Sequence, residues 1–313
     1  MSTTKSDELI AEKDLPVFKS LFKTKPIVHV LAMLFNWSII FAVIYLYLQL
    51  SIVWLYPVAI IIIGARMHAL AILMHDATHF RFLKKRKWND LISNLVIMYP
   101  IFSSIEKYRA NHLQHHLHLN TMQDPDWVAK LTKREFHFPK TRTEFLLTVC
   151  SYLVLYQGIL DALWFMKRYS GADEKASVKS ENTRLKYAFY ITVLVLLTLF
   201  SGWTYFLLFW VVPYLTSFFM FQYIRSVAEH FGELAYEDDL SSSRTVKPSL
   251  LEKFLIAPHH VGYHLEHHLY PGVPYYHLPK LHQLLMKQPK YQVRAHITEG
   301  YMTGLLKELG KVA

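Results

Sequence analysis

Nine of the 18 histidines in this 313-residue chain stand at spacings that suit metal binding. His75 and His79 lie in "HDATH". His112, His115 and His116 lie in "NHLQHHLHLN". His264, His267 and His268 lie in "GYHLEHHLYPGVPYY", and His230 closes "SVAEH". A spacing of i, i+4 puts His75 and His79 on one helical face, a turn apart. In each His-x-x-His-His box the first ring neighbours the second at i+3 and the third at i+4, so three ring nitrogens are expected on one side. Nine imidazoles exceed the needs of one ion, because structural zinc takes four ligands and catalytic zinc usually three. Two first-row ions, with four or five nitrogens each, are the simplest division, and imidazole suits Fe, Zn, Cu and Ni alike.

A lone histidine is ordinarily a satisfied structural residue, and His29, His137 and His296 are read that way. His68 precedes His75 by about two helical turns and is also read as structural. His118, His259, His260, His277 and His282 stand near the boxes, as helpers of the ligands or as local structure.

Helices must bring these groups together, and the composition places them at a membrane. Hydrophobic residues make up 52% and charged residues 19%, against about 25% charged in a soluble domain. The stretches from Pro26 to Ala65 and from Tyr187 to Ile224 hold no Lys, Arg, Asp or Glu. Each is about twice the ~20 residues one crossing requires, and each has a turn near its middle. The expected fold is an all-α integral membrane domain filling residues 1–313. Its four transmembrane helices form two hairpins, with spans near 27–48, 54–74, 187–201 and 203–224. A helical cytoplasmic cap carries the histidines. The run 145–166 is interrupted by Gln157 and Asp161; a charge inside a span is costly, so an interfacial helix is expected there.

The formal charge of +10 does not indicate nucleic acid, because the basic clusters flank apolar segments as membrane topology demands. Both termini and the boxes are therefore expected on the cytoplasmic side, in a bacterial inner membrane or, alternatively, the endoplasmic reticulum. The N-terminus lacks the apolar core of a cleavable signal peptide. A single cysteine, Cys150, excludes an intramolecular disulfide and argues against thiolate metal sites.

The order and spacing of "HDATH", "HLQHH" with "LNTMQDPDW", "SSRTV" and "YHLEHHLYPGVPYYHLPKLH" resemble the membrane-bound fatty acid desaturase superfamily of histidine-rich di-iron desaturases and hydroxylases. The resemblance implies two iron ions, cycling between Fe2+ and Fe3+, with O2 as co-substrate. It implies His75, His79, His112, His115, His116, His230, His264, His267 and His268 as metal ligands. Stearoyl-type relatives use an asparagine, through water, four residues before the histidine that matches His230. Ser226 stands at that position here, with His260 as a possible substitute.

Carboxylates that accept N–H groups from ligand rings would orient them. Asp76, Asp124, Asp126, Glu229 and Glu266 are the candidates, and each is also readable as a cap or a solvated acid. Taking hydrogen from an unactivated alkyl chain needs an oxidant no side chain provides. The expected reaction is insertion of a double bond into a fatty acyl chain of a lipid or thioester. The alternative is hydroxylation or ketolation of another lipid, such as a carotenoid, at the same site. A metal transporter is a remote third reading, disfavoured because the boxes lie outside the charge-free spans. No flavin, nicotinamide or haem signature is present, so electrons are expected from a separate ferredoxin or cytochrome b5-type protein.

Overall fold

In a computed structural model, which describes residues 9–169, 181–236 and 238–310, the first charge-free stretch folds into helices α1 (Pro26–Leu50) and α2 (Tyr56–Thr78). Proline in the first turn starts each, where its missing N–H costs nothing. Ser51, at φ 53°, ends α1 by donating its N–H to Tyr47 O. Leu31, Phe35, Phe41 and Tyr45 of α1 are exposed, an apolar outer face that lipid satisfies and water does not. By contrast, every residue of α2 from Ile63 to Thr78 is buried. Its small residues admit close helix approach: a Cβ at Gly64 would overlap Ser217 Oγ and reach within 2.7 Å of Phe218 N.

Helix α3 (Ile105–Leu117) carries the second box, and α4 (Pro125–Leu131) follows it. The expected interfacial helix is two helices, α5 (Arg142–Leu153) and α6 (Tyr156–Tyr169), bent by 77° at a break where Leu155 takes φ 67°. Asp161 belongs to a buried polar cluster: Lys133 Nζ lies 2.6 Å from its Oδ1, and Tyr152 donates to its Oδ2 at 2.9 Å. Gln157 donates to Glu135 at 3.0 Å. Charge inside this apolar run is thus compensated by Lys133.

The second charge-free stretch forms α7 (Thr183–Leu199) and α8 (Trp203–His230). Turns of α8 widen to π-helical geometry at 207–211 and 214–218 around Pro213, which has no N–H for the ladder. Among the described residues three helices are long and apolar enough to cross a membrane: Pro26–Leu50, Val53–Thr78 and Trp203–His230. The bent pair α5–α6 is a fourth if it counts as one span. Helix α7 has 17 residues, at the short end of the roughly 17–25 of one crossing. The protein is an integral membrane protein. The all-α expectation needs one amendment, a parallel pair of three-residue strands, β1 (Thr245–Lys247) and β2 (Ile297–Glu299), with Thr245 opposite Ile297. Helix α9 (His264–Leu269) carries the third box.

Candidate metal centre

Two of the apolar helices run on past the expected spans and end in histidine. His75 lies in the last turn of α2 with His79 as its C-cap, and His230 is the final residue of α8. Helices α3 and α9 meet these ends, and the nine rings gather into two adjacent groups. His75, His79, His112, His116 and His267 form one; His115, His230, His264 and His268 form the other. Within each group the ring nitrogens lie within 4.8 Å of one another. Each box is thus divided between the groups rather than facing one side. In both boxes the i, i+4 pair stays together, while the i+3 ring, His115 or His267, joins the other group.

The Nε2 atoms face inward. His112 Nε2 is 3.0 Å from both His79 Nε2 and His116 Nε2, and His267 Nε2 is 2.9 Å from His116 Nε2. In the second group His264 Nε2 is 2.9 Å from both His230 Nε2 and His268 Nε2. The groups touch where the His116 and His268 rings meet at a tilt of 33°, with centroids 4.4 Å apart.

These distances fit a metal. Ligand nitrogens about 2.1 Å from an ion and at right angles to each other stand about 3.0 Å apart. His75 Nε2 is buried without a hydrogen-bond partner, as a lone pair reserved for an ion would be. Burial also drives the His112, His264, His267 and His268 imidazoles well below their usual pKa, keeping them in the neutral form that ligates.

Two of the candidate carboxylates face box rings. Asp124 Oδ2 lies 2.7 Å from His115 Nδ1, and Glu229 Oε1 lies 3.3 Å from His264 Nδ1. The partners seen for the other three lie outside the boxes. Asp76 is buried and accepts the Tyr275 N–H at 3.1 Å, with His29 Nδ1 3.9 Å away. Asp126 pairs with Lys130, one turn along α4, at 2.6 Å. Glu266, although inside the third box, points away from the rings. It takes His282 Nδ1, the Tyr291 hydroxyl at 2.7 Å and the Thr245 hydroxyl at 2.6 Å. His260 is exposed in a left-handed turn at φ 57°, and is no substitute for the asparagine. Ser226 lines the cavity beside His230 and His264.

That cavity, about 600 Å³, has both polar and apolar walls. Met74, Met98, Phe218 and Phe219 supply apolar surface, and His112, His115, His230 and His264 open onto it. Its volume suits a small-molecule site.

Matching against known families extends over residues 52–300, with the description "Fatty acid desaturase". The chain belongs to the fatty acid desaturase family. Dihydrorhizobitoxine desaturase of Bradyrhizobium elkanii is 31% identical over 76% of this chain and 70% of its own. Zeaxanthin 4-ketolase of Chlamydomonas reinhardtii is 27% identical over 69% of this chain and 41% of its own. An sn-1 acyl-lipid omega-3 desaturase (ferredoxin) of Nostoc sp. is 25% identical over 72% and 66%.

Other residues that build the site carried no metal-ligand spacing to reveal them. Arg244, in "SSRTV", is fully buried and donates to Ala228 O at 2.7 Å and Phe231 O at 3.1 Å. It thereby satisfies carbonyls at the end of α8, where a cation is favoured, and steadies His230. The loop before the third box is pinned to the apolar helices. His68 contacts Ile256 O at 2.9 Å, and Asn36 Nδ2 contacts His259 Nε2 at 3.0 Å.

Proposed function

We propose that this membrane protein is an O2-dependent di-iron oxidoreductase that introduces a double bond into a fatty acyl chain of a lipid or thioester. The observation that carries the reading is the division of nine imidazoles into groups of five and four at the wall of a partly apolar cavity. His75, His79, His112, His116 and His267 would hold one iron, and His115, His230, His264 and His268 the other. Bound there, the pair would supply the O2-dependent oxidation that removes two hydrogens from adjacent carbons. The overall balance is –CH2–CH2– + O2 + 2 electrons + 2 protons giving –CH=CH– and two waters.

The protein's own groups prepare that chemistry. Asp124, hydrogen-bonded to His115 Nδ1, and Glu229, 3.3 Å from His264 Nδ1, hold those rings so that Nε2 faces inward. Met74, Met98, Phe218 and Phe219 hold an apolar chain by excluding water from it. Chemistry between the rings and this wall places the reacting carbons near His112 and His264. Electrons come from a separate ferredoxin or cytochrome b5-type protein; one relative has ferredoxin in its name. The termini and boxes face the cytoplasm of a bacterial inner membrane, as the basic segments beside the spans favour.

A second reading, hydroxylation or ketolation of a lipid at the same site, draws on the likeness to a zeaxanthin ketolase. The test is expression in a host that makes both acyl lipids and carotenoids, followed by mass spectrometry of each class. New unsaturated acyl chains are expected. Oxygenated carotenoids with unchanged acyl chains would replace the first reading by the second.

A further inference from the structure

The two histidine groups are joined through an arginine that no histidine motif contains. Arg225 stands one turn before Glu229 on α8, and both line the cavity with Tyr108, His112 and His264. Its Nε donates to Glu229 Oε1 at 2.6 Å, and the same oxygen faces His264 Nδ1 at 3.3 Å. Its guanidinium also lies beside the Tyr108 side chain. The Tyr108 ring stacks on His112 with centroids 5.3 Å apart and planes 22° apart. A row of neighbouring side chains therefore runs from His112, in the five-histidine group, past Tyr108, Arg225 and Glu229 to His264, in the four-histidine group.

A fixed cation is an unfavourable neighbour for bound metal ions by Coulomb's law alone. Its place here has a geometric explanation. Glu229 borders the cavity, and a carboxylate is itself a good ligand for a first-row ion. Unrestrained, Glu229 is free to rotate toward an ion and to release His264. The charged hydrogen bond from Arg225, stronger than a neutral one, holds Glu229 Oε1 beside His264 Nδ1.

We propose that Arg225 is a positioning residue: it keeps Glu229 as the acceptor for His264 and out of the metal's donor set, and Tyr108 braces it against the five-histidine group. This rests on the reading that both groups hold iron.

The test uses the purified full-length protein titrated with ferrous iron, comparing wild type, R225Q, R225K, E229Q and the double variant R225Q/E229Q. Wild type should take up two ions. R225Q should weaken the second ion about 10–100-fold, the range seen when groups that orient ligands are removed, and leave the first unchanged. R225K, which keeps the charge but loses the planar fork, should recover part of the loss. In the double variant an amide replaces the carboxylate, so its affinity should match that of E229Q alone within about twofold. Losses that add in full would mark Arg225 as merely structural and overturn the proposal, because independent sites add. Unchanged second-ion affinity in R225Q would also overturn it. Fewer than two ions in wild type would overturn the two-ion reading, and this proposal with it. Equal melting midpoints of the metal-free proteins establish that each variant folds.

Discussion

Asp124 serves two structures with its two oxygens. Oδ2 faces His115 Nδ1 at 2.7 Å, while Oδ1 accepts the N–H groups of Asp126 and Trp127 at 2.9 and 3.1 Å. The carboxylate that orients a ligand ring is thus also the N-cap of α4. Asp124→Asn should preserve most of the cap, since asparagine caps as well as aspartate, yet weaken iron binding about 10–100-fold by losing the charged acceptor. Asp124→Ala should lose both, with a further destabilisation of about 1 kcal/mol from the cap. Thermal melts of the metal-free forms beside iron titrations separate the two effects.

Neighbours in one box belong to different groups. His112→Ala should deplete the five-histidine group and leave the other loaded, whereas His115→Ala should do the reverse. Each variant should then retain about one ion per chain, and the spectra of the two remaining ions should differ. Identical spectra would contradict the division of the boxes.

Asn36 is fully buried in α1, with its Oδ1 3.2 Å from Arg66 Nη1 and its Nδ2 3.0 Å from His259 Nε2. Asn36→Leu strands both partners away from water. The expected cost is about 1–3 kcal/mol, seen as a lower melting midpoint in detergent. Iron content should also fall, because His259 belongs to the loop that leads into the third box.

Gly64→Val should fail differently. The added carbons would collide with Ser217 and the backbone of Phe218 and force α2 away from α8. Overpacking of this kind costs about 1–3 kcal/mol. Histidines from both helices, His75 and His230, should then be displaced, lowering stability and iron content together.

Much of this was legible in the chain, for physical reasons. Charge-free length marked the apolar helices, because lipid does not tolerate unpaired charge, and the histidine spacing marked the rings that meet. The ends of the helices were less legible. α2 and α8 extend beyond their apolar spans, so His75 and His230 are rigid continuations of them. Gln157 and Asp161 read as interruptions, but their partners, Glu135 and Lys133, lie more than twenty residues away in sequence. The division of each box follows from helix geometry, since residues i+3 and i+4 project about 100° apart. Which group each helix serves depends on how α3 and α9 pack, and no local pattern encodes that. Glu266 and Glu229 both neighbour box histidines in sequence, yet of the two only Glu229 is seen facing a box ring; Tyr291 and His282 claim the other.

Elemental analysis and electron–nuclear double resonance on the iron-loaded, purified protein test the central claim most directly. Two irons per chain, coupled to each other and each bound by several imidazole nitrogens, are predicted. A single ion per chain, or irons with no histidine nitrogen around them, would contradict it.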